Sequence, residues 1–158
     1  SAASDVYKRQ VRRRIIMGTV VFDENIKDKH SQNMAELFNS FDIQAIPEDF
    51  IKILDSGKIE FIYTSRRSSV LGKVAEICVI FKNVNVYRKI YVLYDYGYCV
   101  KYQEIPLKAY NTCEGRNEEI KRLYKEAGLT QVFIGRFFKL SQPSISLILK
   151  KDKEDNNE

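Results

Sequence analysis

Few side chains in this chain could do covalent chemistry, and their spacing limits what that chemistry could be. His30 is the only histidine, so a hydrolytic triad would have to be built around it, and neither a nucleophile elbow nor a reactive-cysteine motif accompanies it. The phosphate-cradling pattern GxxxxGK[ST] is missing. Cys78, Cys99 and Cys113 are odd in number and far apart. With no CxxC and no second histidine a zinc site has too few ligands, and buried free thiols are the expectation. Glu48 with Asp49, or Glu60 with Glu76, could hold Mg2+ for a nuclease or recombinase, but their spacing follows no metal-site pattern, and solvated surface acids account for them more simply. The chain is therefore expected to be no enzyme, with no catalytic residues, no cofactor and no metal.

Non-covalent recognition has a clearer address. The full chain carries a net charge of +5, but residues 1–16 contribute +4 of it, residues 17–114 contribute −1, residues 115–151 contribute +5 and residues 152–158 contribute −3. Beyond residues 1–16, positive charge is thus gathered on one stretch, as a phosphate-binding module requires.

That stretch, Asn117 to Lys151, reads as three short helices. Ile120, Leu123, Tyr124 and Ala127 form an apolar stripe at helical period, with Asn117 as a plausible cap and Gly128 as a stop. Thr130 is placed to cap a second helix that turns Ile134, Phe137 and Phe138 inward. After the Lys139-Leu140-Ser141 turn, Ser141 caps a third helix. Pro143 suits its first turn, where a missing N–H costs nothing, and Ile145, Ile148 and Leu149 make its inner face.

Gln131 to Leu149 resembles the helix-turn-helix of phage repressors and bacterial transcriptional regulators. The resemblance rests on Gly135, a small residue where the two helices cross, and on apolar residues at Ile134, Phe138, Leu140, Ile145 and Ile148. The family usually has glycine at the turn; Lys139 stands there instead and must take a left-handed conformation at some strain. The plainer alternative is a three-helix bundle, which does not call for Gly135, the Leu140-Ser141 turn and Ser-Gln-Pro-Ser together.

The resemblance implies sequence-specific binding of double-stranded DNA. Thr130 and Gln131 would meet the phosphate backbone, where helix N–H groups favour anions. Gln142, opening the third helix, would read adenine, since a Gln amide can bond adenine N6 and N7 together. Ser141, Pro143, Ser144 and Ser146 lie on the same presented segment, with Ser144 and Ser146 as lesser contacts. Leu147 occupies a place where a polar reader is common, so it touches either a thymine methyl or a protein. Arg136, Lys139, Lys150 and Lys151 supply charge. The expected role is a repressor-like regulator of bacterial, phage or mobile-element origin, binding as a possible homodimer. A DNA-targeting subunit of a recombinase or nuclease is the alternative.

The remainder reads as an α+β domain, a small antiparallel β-meander with helices, spanning residues 17–110. Ser31 reads as the cap of a helix carrying Met34, Leu37, Phe38 and Phe41; Pro47 opens a second with Phe50, Ile51 and Leu54 inward, stopped by Gly57. Gly18–Phe22 is a short β-like run. Longer strands are expected at Lys58–Thr64, Lys73–Lys82, Arg88–Tyr94 and Tyr98–Gln103, joined by hairpins at Ser65–Gly72, at Asn83-Val84-Asn85 and at Asp95-Tyr96-Gly97. Residues 111–116 read as a linker to the helical unit at 117–151, and residues 152–158 as a disordered acidic tail. Six tyrosines crowd between Tyr87 and Tyr102. They suit a core face or a dimer interface better than a base-stacking surface. The Arg66-Arg67 loop reads as a solvated hairpin that could otherwise hold phosphate.

Asp5–Gln10 resembles the translation of a transposon end used in sequencing libraries, so residues 1–16 are expected to be non-native or disordered, with Met17 as the native start. No apolar run approaches the roughly 20 residues that span a bilayer, and no signal peptide is visible, which places the expected location in the cytoplasm.

Overall fold

Pro47 shows how directly sequence becomes structure here. Its ring fixes φ at −56°, it precedes the helix Glu48–Ser56, and the first-turn acids Glu48 and Asp49 complement the helix dipole. In the computed structural model, which describes residues 29–68 and 72–155, the chain divides after Glu104 into two compact units. The expectations for residues 1–16, for Met17 and for Gly18–Phe22 lie outside the described residues.

The first unit opens with helix α1 (Lys29–Ser40) and helix α2 (Glu48–Ser56). Met34, Leu37 and Phe38 are the buried stripe of α1, and Phe50, Ile51 and Leu54 that of α2. Helix α1 starts ahead of Ser31, so that serine lies within the first turn rather than capping it. Gly57 ends α2 by donating its N–H to the Ile53 carbonyl at 3.2 Å. A Cβ there would come within 2.6 Å of Val79 Cγ1, so the turn from helix into sheet needs a residue without one.

Strands β1 (Lys58–Ser68), β2 (Gly72–Lys82), β3 (Val86–Asp95) and β4 (Val100–Ile105) follow as a meander in the spatial order β1-β2-β3-β4. The β1–β2 and β2–β3 pairs are antiparallel. Ile62 faces Ile77, which faces Tyr91, and Ala75 faces Leu93. These residues form one core with Met34, Phe50, Leu54 and Val100. The alternate residues of the central strands, Val74, Glu76, Cys78, Ile90 and Val92, are buried as well. A strand buried on both faces loses the polar alternation, which is why 73–82 reads as a nearly continuous apolar run.

Every strand differs from expectation at one end or both, by one to two residues in β2, β3 and the end of β4, and more informatively at two places. β1 runs four residues past Thr64 to Ser68, carrying irregularities at Ile59/Phe61 and Arg66/Ser68, because Arg67 is held in the sheet by an ion pair. β4 begins at Val100 rather than Tyr98. Tyr96 N–H bonds to the Cys99 carbonyl at 2.9 Å and Gly97 N–H to Asp95 Oδ1 at 2.8 Å, with Gly97 at φ 85°, so Tyr98 belongs to the turn.

The second unit holds helices α3 (Cys113–Lys125), α4 (Gln131–Phe138) and α5 (Gln142–Asp155), each touching the other two. Ile105, Ile120, Leu123, Leu129, Phe133, Ile134, Ile145 and Leu149 are its buried apolar residues. Residues 111–116 are not a linker. Thr112 caps α3 by accepting from Gly115 N–H at 3.0 Å, so the helix starts at Cys113, four residues ahead of Asn117. Tyr124 turns out to be exposed, not inward. The expected tail at 152–158 is helical through Asp155, since no glycine or proline interrupts α5 after Pro143. Among the described residues no helix is long and apolar enough to cross a membrane.

Candidate nucleic-acid interface

The geometry of α4, its turn and α5 follows from a few residues. Gly128, at φ 68°, ends the preceding segment, and Leu129 N–H closes back to the Leu123 carbonyl at 3.1 Å. Thr130 then caps α4 by accepting from Phe133 N–H at 3.2 Å, and Phe133, Ile134 and Gly135 turn inward. Lys139 ends the helix in the left-handed region, φ 56° and ψ 43°, the only non-glycine residue with positive φ among those described. Leu140 N–H bonds to the Gly135 carbonyl at 2.9 Å. A Cβ on Gly135 would lie 2.9 Å from the Leu140 carbonyl oxygen, a backbone atom that cannot swing aside, so this close turn depends on glycine at 135.

Helix α5 is started by a serine pair. Ser144 N–H donates to Ser141 Oγ at 3.3 Å, and the two hydroxyl oxygens are 2.8 Å apart. Both hydroxyls are thereby engaged in the cap. Ile145 and Leu149 are buried and Ile148 half-buried. Gln142, Pro143, Ser144, Leu147, Lys150 and Lys151 are exposed, and Ser146 is half-buried. Of the remaining expected contacts, Arg136 and Lys139 are exposed, while Thr130 and Gln131 are half-buried at the start of α4. Gln142 is thus a water-facing amide at the N-terminus of a helix whose far side is fixed in an apolar core.

Helix α3 carries a feature that apolar periodicity does not reveal. Glu119 is only 4 % exposed. It accepts from Lys108 N–H at 2.9 Å and from Arg122 Nε at 2.8 Å, and Arg122 also donates to the Pro106 carbonyl at 2.7 Å. Burial pushes the Glu119 carboxyl up, but the bonds from Arg122 and Lys108 outweigh it and hold it below its ordinary value. The i, i+3 spacing of Glu119 and Arg122 was the available signal. The Tyr110 ring lies 6.0 Å from that of Phe138, so the stretch before α3 is packed at both its ends.

The other chemically suggestive groups have structural partners. His30 Nδ1 accepts from Ile59 N–H at 2.9 Å. Asp49 accepts from the Tyr102 hydroxyl at 2.6 Å, which holds its carboxyl below the ordinary value. Glu60 pairs with Arg88 at 2.8 Å and Glu76 with Arg67 at 2.7 Å. Arg67 is therefore committed to a buried carboxylate, although it and Arg66 are both exposed at the surface. Among the described residues no group of three or more His, Cys, Asp or Glu is arranged to hold a metal ion.

Of the crowded tyrosines, Tyr91 and Tyr102 pack on Phe50 at 5.8 and 4.8 Å between ring centres, and Tyr98 is 85 % exposed. All three cysteines are free. Cys78 is buried, and desolvation pushes its thiol up to about 12; Cys99 is half-buried, and Cys113 is exposed at the start of α3, contrary to the expectation of buried thiols.

No family model matches the chain, and it has no match among curated proteins or solved structures.

Proposed function

We propose that α4 and α5 act as a helix-turn-helix that docks on duplex DNA and reads its sequence from the N-terminal half of α5, making the chain a repressor-like transcriptional regulator. The observation that carries this reading is the turn: Gly135 and the Leu140 carbonyl approach too closely for any side chain at 135, and Lys139 accepts a left-handed conformation to close it. A bundle that only needed to bury apolar surface could use a looser connection.

In this reading phosphates meet Thr130 and Gln131 at the start of α4, where the helix dipole attracts anions. Arg136, Lys139, Lys150 and Lys151 add charge at the rim. Gln142 enters the major groove and pairs with adenine N6 and N7. Two copies of the chain would place two α5 helices on half-sites about 34 Å apart.

The test is selection from a randomised duplex pool by the intact chain, repeated at several salt concentrations. Binding should weaken steeply with salt. Gln142→Ala should cost about 1–3 kcal/mol at one adenine position and relax the preference there. An unchanged preference in the variant would remove Gln142 as reader, and absent or salt-insensitive binding would remove the function.

A further inference from the structure

The outward edge of α5 is not uniformly polar. Pro143, Leu147 and Lys150, spaced i, i+4 and i+7, lie on the side of the helix opposite Ile145, Ile148 and Leu149. All three are exposed, and Leu147 is 56 % so. One turn of a helix that otherwise presents Gln, Ser and Lys is therefore apolar, with Lys150 and Lys151 directly beyond it.

We infer that Leu147, with Pro143 beside it, is a specificity determinant that packs on the C5-methyl group of a thymine in the major groove. This rests on the DNA-binding reading above and adds a second base pair to it. Among the base edges in that groove the thymine methyl is the one apolar group. A site that is anionic at its rims and carries a methyl on its floor matches an edge with leucine in the middle and lysines around it. An apolar protein pocket would have to leave those lysines hydrated at its border while covering a patch only one turn long, too little area to hold a partner by itself.

The spacing sets where the methyl must be. Gln142 and Leu147 are separated by five residues, about 7.5 Å of helix rise. With bases stepping about 3.4 Å along a strand, the thymine falls within about three base pairs of the adenine assigned to Gln142.

The experiment replaces each thymine of the selected duplex, one at a time, by deoxyuridine, which removes the methyl and keeps every hydrogen-bonding group. The intact wild-type chain should lose about fourfold in affinity at one position near that adenine, the worth of one buried methyl. Leu147→Ala should bind with reduced affinity and lose less than about twofold on the same replacement, while Leu147→Met, which still offers an apolar end, should retain the sensitivity. Melting curves of both variants should match the wild type, because the side chain is exposed.

Tolerance of deoxyuridine at every position, with a site still selected from the pool, overturns the role of Leu147 and leaves the DNA-binding reading standing. Equal deoxyuridine sensitivity in wild type and Leu147→Ala does the same. A change of oligomeric state in Leu147→Ala with no change in the deoxyuridine response assigns the leucine to a protein contact and also overturns it. A chain that retains no duplex overturns both readings together.

Discussion

In the sheet-bearing unit Arg67 donates to Glu76, Arg88 to Glu60 and Lys89 to Glu104, whereas in the helical unit Lys139, Lys150 and Lys151 are exposed and carry no ion pair among the described residues. The first set has been partly withdrawn from water and is useful only in place. Glu76 shows no exposure at all, and a carboxylate so placed is tolerated only with its cation. The second set keeps its hydration and is available to an anion arriving from outside. Net charge alone describes these regions as near neutral and basic. Pairing says more, because it separates charge that holds a structure from charge that is presented. Helix α3 shows that the helical unit uses both modes, with Glu119 and Arg122 locked together on it.

The comparison can be broken most severely at Arg67. Arg67→Ala should lower the stability of the sheet-bearing unit by up to about 3 kcal/mol in urea denaturation, and adding Glu76→Gln should recover part of the loss by removing the stranded charge. A negligible loss would place Arg67 among the presented charges after all.

A smaller effect is expected at Glu119. Glu119→Gln should cost about 1–2 kcal/mol at neutral pH, because Arg122 and Lys108 N–H lose a charged acceptor. The sign with pH follows from the lowered carboxyl: its contribution is complete above the ordinary value of 4.5 and is lost as pH falls through the lower folded value. The melting difference between wild type and variant should therefore be constant above that range and close below it.

The smallest effect sharpens the contrast at the turn. Lys139→Gly relieves a left-handed backbone but adds freedom to the unfolded chain, for a net gain of about 0.5 kcal/mol. Thermal unfolding should show that gain while DNA affinity falls slightly through the lost cation. Stability and binding moving in opposite directions is what a presented charge predicts; both falling together would mean that the lysine supports the fold.

Much of this was legible because local chemistry and tertiary packing agree. Pro47, Gly57 and Thr130 each mark a helix end where the structure has one, while α3 stops at Lys125, three residues ahead of Gly128. The left-handed conformation of Lys139 could be anticipated only through the resemblance, because the helix-turn-helix pattern usually has glycine at that place. The start of α3 was not legible, since Cys113, Glu114, Gly115 and Arg116 present no apolar side and Thr112 looks like any polar loop residue until its hydroxyl is seen accepting from Gly115. Phe133 was missed as a core residue for a related reason. Three phenylalanines lie in α4, and periodicity favoured Phe137 and Phe138, which are half-buried, over Phe133, which is fully buried. The partner of Arg67 lies on the neighbouring strand and the Lys108 N–H that bonds Glu119 lies in an irregular segment, so neither is reached by spacing along one element.

The bonds from Glu119 to Lys108 and from Arg122 to Pro106 also decide how the protein can be taken apart. A fragment beginning at Asn117 would discard Thr112 together with the backbone groups that satisfy the acid and the guanidinium, leaving a carboxylate buried in a truncated shell. An excision that starts at Ile105, where the two units divide, instead keeps the irregular segment with the helix it is fastened to.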